Sequence, residues 1–125
     1  MQRFRDKVVL VTGAGGGIGQ ASARRIAAEG GAVYCVDLNP AAVEAAVAAI
    51  RAEGGRASGR VCDISREDAV RDCVAACVAE YGILYALVNM AGLLRFDDTQ
   101  QLTLAQWQQV IDVNLTGTML LCREV

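Results

Sequence analysis

Residues Lys7 to Gly19 read KVVLVTGAGGGIG. The first six form a short, β-branched and nearly continuous apolar run, which suits a strand buried on both faces of a parallel sheet. The glycine cluster ends that run. From Gly19 onward the small and apolar residues Ala23, Ile26, Ala27 and Gly30 recur at helical spacing, with Arg24, Arg25 and Glu29 on the other side. This pattern predicts an amphipathic helix, so the stretch reads as strand, glycine turn, helix.

The same alternation continues downstream. Ala32 to Val36 (AVYCV) repeats the strand signal, and Asn39-Pro40 supplies an N-cap followed by proline at the first helical position. The helix that follows carries Val43, Ala46, Val47 and Ile50 on one stripe and is expected to end at Gly54-Gly55. A weaker strand spans Ala57 to Cys62. Ser65 with Asp68 resembles a capping box, opening a helix whose stripe is Val70, Cys73, Val74, Cys77, Val78 and Tyr81. Leu84 to Asn89 reads as a fourth strand. After a loop of about ten residues from Gly92, Thr103 and Gln106 form a second capping-box pattern. Trp107, Val110, Ile111, Thr118 and Leu121 then mark one last helix. Strand and helix alternate four times, which predicts a Rossmann-like, doubly wound α/β parallel sheet. The sequence stops after the fourth strand and its helix, so a single domain, incomplete at its C-terminus, is expected over residues 1–125.

The turn carries the chemistry. A helix N-terminus presents unpaired N–H groups and the positive end of its dipole, and missing Cβ atoms let a pyrophosphate approach the backbone. Thr12 to Gly19 does not fit G-x-G-x-x-G, because Ile18 stands where the third glycine is required; it fits T-G-x-x-x-G-x-G instead. Asp37 ends the second strand 24 residues beyond Gly13, near the spacing of about 20 expected of an acid that holds an adenosine ribose. A carboxylate there accepts hydrogen bonds from ribose hydroxyls and repels a 2′-phosphate, and neither the glycine turn nor Leu38-Asn39 offers a compensating cation. NAD is therefore favoured over NADP.

Composition narrows the remaining classes. The 125 residues hold 12 basic and 14 acidic side chains with no basic cluster, so a nucleic-acid partner is not expected. Five cysteines form no CxxC pair and histidine is absent, which argues against a structural metal. Cys73 and Cys77 lie four apart on the stripe facing the sheet and read as core; Asp97-Asp98 reads as a solvated turn. No run reaches the roughly 18 apolar residues of a membrane span, and nothing resembles a signal peptide, so a cytoplasmic setting is expected.

Together, Thr12 to Gly19, Asp37, Cys62-Asp63-Ile64, Asn89-Met90-Ala91-Gly92 and Val113-Asn114 resemble the short-chain dehydrogenase/reductase family over essentially the whole chain. The resemblance implies that Gly13, Gly16, Gly17, Ile18 and Gly19 surround the pyrophosphate, that Asp37 and Leu38 select NAD, and that Asp63 and Ile64 contact adenine. It further implies that Asn89, Ala91 and Gly92 line the cofactor site, although Met90 stands in place of the family's second asparagine and Tyr85 in place of its usual aspartate. Asn114 is implied as a catalytic residue, holding a water in a proton relay. Its position among Trp107, Val110, Ile111 and Thr118 predicts that it is buried and has a partner.

The implied activity is hydride transfer between NAD(H) and a secondary alcohol or ketone. The family's acid/base group is a tyrosine with a lysine four residues later, beside a serine. Lys7 is the only lysine here, and no Tyr-x-x-x-Lys occurs. The chain alone is therefore expected to bind the cofactor without turnover, and its fourth strand to leave an unpaired edge that favours aggregation. A complete protein is expected to form a homodimer or homotetramer through the helix opening at Thr103. Two other readings stand beside this one: a non-catalytic NAD-binding module, and a methyltransferase-like α/β domain.

Overall fold

The computed structural model describes residues 1–125. Its four strands are β1 (Val8–Thr12), β2 (Ala32–Asp37), β3 (Arg56–Val61) and β4 (Ala86–Asn89). They form one sheet in the order β3-β2-β1-β4 with every pair parallel, Val11 standing opposite Cys35 on one side and Val88 on the other. The helices are α1 (Gly17–Ala28), α2 (Pro40–Ala52), α3 (Glu67–Tyr81), α4 (Leu104–Ile111) and α5 (Gly117–Glu124), with a π-helical turn at Asp112–Thr116 between the last two.

The period of two along the strands sorts the core into two layers. Val9, Val11, Val33 and Cys35 face α1 and α2, where they meet Ala23, Ile26, Ala46 and Ile50. Val8, Leu10, Tyr34 and Val36 face the other way, onto Val70, Cys73, Val74 and Cys77 of α3 and Leu120 and Leu121 of α5. Both faces of β1 are therefore covered, as its unbroken apolar run requires. The doubly wound parallel sheet expected from the sequence is the fold observed.

Four local expectations need correction. The Ser65–Asp68 capping box does not form: the Ser65 hydroxyl donates to Asp63 Oδ1 at 2.6 Å, and Arg66 occupies the N-cap of α3 without a side-chain cap. The helix begins one residue later than expected, so Ser65 lies before the N-cap and its hydroxyl serves the Asp63 turn instead. Val78 is 41% exposed and leaves the buried stripe of α3. The last helix is not continuous, because the π turn interrupts it and shifts the phase of its faces. In addition, α4 buries no residue and Trp107 is 54% exposed.

By contrast, Asn39 caps α2 by accepting from Ala41 N–H at 3.0 Å. Thr103 and Gln106 close a complete capping box on α4.

Candidate functional site

A cleft of about 390 Å³ opens outside the carboxyl ends of the strands, where the order reverses between β1 and β4. In open α/β sheets this is where ligands bind. Its wall includes Thr12 and Gly13 after β1, Val36 to Leu38 at the end of β2, Cys62 to Ile64 after β3, and Met90 to Leu93 after β4. Gln109 of α4 and Val113 of the π turn close it.

The glycine turn is shaped by close approach. Gly13 has φ +63°, and a Cβ there would lie 2.9 Å from the backbone of Met90 and Ala91. A Cβ on Gly19 would strike the Gly13 carbonyl oxygen. The turn thus brings β1, α1 and the segment after β4 together without side chains between them. No side chain caps α1, and neither a backbone carbonyl nor a side chain accepts from the N–H groups of Gly17, Ile18 or Gly19. These donors, with the helix dipole behind them, form an anion-binding end.

Thr12 locks the opposite wall. Its buried hydroxyl accepts from the N–H groups of Met90 and Ala91, both at 3.1 Å, and donates to Asn89 Oδ1 at 3.3 Å. Asn89 also directs its amide at Cys122 Sγ, 3.8 Å away. Its side chain therefore ties β4 to β1 and α5. The Met90 side chain has no part in this arrangement, which is made by its backbone N–H.

Asp37 is oriented from two sides. Oδ2 accepts from Gly15 N–H at 3.0 Å and Oδ1 from Asn39 N–H at 3.1 Å. The carboxylate is thereby fixed beside the glycine turn. Asp63 is held in the same way, its Oδ1 accepting from both the N–H and the hydroxyl of Ser65. Next to it, the hydrogen bond with the neighbouring Cys73 thiol holds the pKa of Cys62 below the usual thiol value, while that contact and burial push the Cys73 pKa upward.

Asn114 is exposed, which corrects the expectation that it is buried. The expected partner is present: its Oδ1 accepts from Leu93 N–H at 2.7 Å and its Nδ2 donates to the Leu93 carbonyl at 2.9 Å. Its own carbonyl accepts the Thr118 hydroxyl at 2.9 Å. The π turn carries Asn114, and this two-point clamp fixes the backbone that lines the cleft.

Of the residues singled out from the sequence, Gly13, Gly16, Asp37, Leu38, Asp63, Ile64, Ala91 and Gly92 line the cleft. Gly17, Ile18 and Gly19 form the first turn of α1 beside it. Asn89 and Asn114 stand behind its wall and brace it. Sequence reasoning did not single out Thr12, Gly15, Met90, Leu93, Gln109 or Val113. Thr12 and Gly15 lay within the turn motif, where the hydroxyl and the Asp37 contact were the available signals. Met90 and Val113 stood within the quoted motifs without being assigned a place in the site, whereas Leu93 and Gln109 had no signal, because tertiary folding alone brings them to the cleft.

The family profile described as short chain dehydrogenase matches residues 7–125. The chain is 50% identical over 117 residues to the short-chain reductase protein NovJ of Streptomyces niveus, covering 92% of this chain and 44% of that protein. Among solved structures, NAD+-bound xylitol dehydrogenase superposes with a TM-score of 0.94 at 39% identity, over 98% of this chain and 48% of that one. Actinorhodin polyketide ketoreductase with NADPH superposes at 0.92 and 34% identity, over 99% and 47%. The chain thus spans about half the length of the relatives it matches. No helix is long and apolar enough to cross a membrane. With a family match from Lys7 to the last residue, the methyltransferase-like reading falls away, and the chain belongs to the short-chain dehydrogenase family.

Proposed function

We propose that the protein carrying this chain is an NAD-dependent oxidoreductase that interconverts a secondary alcohol and a ketone, and that these residues are its cofactor-binding half. The observation that carries the choice of NAD is the Asp37 carboxylate, held at the cleft by Gly15 and Asn39. No arginine or lysine lines the cleft to neutralise a 2′-phosphate. The relatives' structures hold NAD+ in one case and NADPH in another, so Asp37 is the discriminating feature.

The residues fit the group. The free N–H groups of Gly17, Ile18 and Gly19 face the place of a pyrophosphate, and the backbone approach at Gly13 leaves no room for a side chain. Asp37 would hold the ribose, and Leu38, Asp63 and Ile64 would form the adenine end. Ala91, Gly92 and Leu93 would line the nicotinamide end, which Asn114, the catalytic candidate, braces through Leu93. When bound, a nicotinamide supplies hydride transfer; the chain's own residues bind and orient it.

Lys7, the sole lysine, sits at the amino end of β1, where its Nζ is 3.2 Å from the Tyr85 hydroxyl. That is the end of the sheet opposite the cleft. This chain by itself is accordingly a binding module without an acid/base group for turnover. The small-molecule substrate, the paired subunits expected through α4, and a cytoplasmic location consistent with five free cysteines belong to the same proposal. The test is NADH formation by the full-length protein over a panel of secondary alcohols. Turnover with NAD supports the reading, and binding of NAD without turnover by any of them favours a non-catalytic module.

A further inference from the structure

Two acidic residues near the reacting end of the cleft are already engaged. Asp112 accepts from Gln108 Nε2 at 2.7 Å, and Asp98 accepts from Gln100 N–H at 3.1 Å within its own turn. Arg95 is different. It stands two residues beyond Leu93 in the segment after β4, and its guanidinium donates to Gln109 Oε1 at 2.6 Å. Gln109 lines the cleft. No carboxylate pairs with Arg95, which is also true of Arg5, Arg51, Arg56 and Arg60; what sets Arg95 apart is that its partner belongs to the cleft wall. Its one hydrogen bond is to a neutral amide, and no carboxylate lies within ion-pair distance of it.

The segment around it is apolar and exposed: Leu94 is 74% and Phe96 90% accessible. A guanidinium flanked in the sequence by exposed apolar residues suits a ligand with an apolar body and one anionic group. Arginine's planar fork suits carboxylate and phosphate alike.

We propose that Arg95 is a specificity-determining residue, held at the cleft mouth by Gln109, that selects substrates bearing a carboxylate or phosphate beside an apolar body. This rests on the oxidoreductase reading above. It adds what that reading lacks, the class of alcohol or ketone taken. The relatives' names span neutral alcohols such as cyclohexanol and an acid, 2,3-dihydro-2,3-dihydroxybenzoate, so the fold accommodates either kind and a local side chain must choose.

The experiment compares para-(hydroxyethyl)benzoate, para-(hydroxyethyl)phenyl phosphate and neutral phenylethanol on the full-length protein, with Arg95→Gln and Arg95→Lys. The wild type is expected to prefer at least one anionic probe, and Arg95→Gln to raise its KM roughly ten- to hundredfold, the range of a charge-assisted hydrogen bond. Its kcat and the KM for phenylethanol stay unchanged. Arg95→Lys recovers part of the loss, and added salt weakens the preference. The carboxylate and phosphate probes separate the two sources of charge.

Equal effects on neutral and anionic probes, or no preference in the wild type, would overturn the assignment of Arg95 while leaving the oxidoreductase reading intact. If no alcohol is turned over, that reading fails instead, and calorimetric binding of para-(hydroxyethyl)benzoate to wild type and Arg95→Gln still decides the role of Arg95. Equal affinity of the two proteins would sink it.

Discussion

Single side chains hold the cleft in shape, and their replacement separates architecture from chemistry. Thr12→Val keeps the volume but removes the acceptor for the N–H groups of Met90 and Ala91. Leaving such donors unpaired costs about 1–3 kcal/mol, so urea unfolding should show that loss, and Thr12→Ser should regain most of it. Glu29 tests the pH response. Its carboxylate is almost fully buried, and the Arg3 guanidinium, aided by Arg25, holds its pKa down at about 2. The folded value lies below the unfolded one, so this stabilisation is complete above about pH 4.5 and is lost as pH falls toward about 2. Unfolding midpoints measured across that window should fall in the wild type and change less in Glu29→Gln. The motif that names the turn was legible at this scale, because glycines and an acid at fixed spacing have few other uses. The clamp between Asn114 and Leu93 was not legible, since nothing in the local pattern announces a partner 21 residues away.

Among the elements, the strands were the most readable and the caps the least uniform. β1 and β2 followed directly from apolar runs, because burial on both faces leaves no alternative side for polar residues. β3 gave a weaker signal for a physical reason: as an edge strand it buries only Ala57. Two capping boxes looked alike in the sequence, and only the one at Thr103 exists. At Ser65 the helix starts one residue later, at Arg66, and the hydroxyl donates within the Asp63 turn. Thr103→Ala should therefore cost about 1 kcal/mol of α4 stability, seen as faster amide exchange over Leu104–Ile111. In Ser65→Ala any loss should appear at the Asp63 turn rather than at the start of α3. The π turn escaped the reading altogether. Trp107, Val110 and Ile111 before it and Thr118 and Leu121 after it keep helical spacing, and one extra residue per turn changes which face is covered without changing the composition.

Across the whole molecule, the layered sheet explains why one end carries the cleft and another face stays apolar. The carboxyl ends of the strands converge on the cleft. Away from it, Leu104, Trp107, Leu115 and Met119 leave an exposed apolar surface over α4, the π turn and α5. β4 pairs with β1 alone and has its other edge free. Exposed apolar area of this kind favours association. Sedimentation of this chain should show mass rising with concentration, and Trp107→Glu should shift the distribution toward monomer. The overall architecture was legible because four repeats of one pattern specify it, whereas the exposure of α4 depends on how far the neighbouring elements reach.

Calorimetric titration of NAD and NADP onto the protein, wild type and Asp37→Ser, addresses the central claim most directly. The account predicts that the wild type binds NAD more tightly, and that Asp37→Ser loses the preference by weakening NAD and relieving repulsion of the 2′-phosphate. Equal binding of both dinucleotides by the wild type, or a preference untouched by Asp37→Ser, would contradict it.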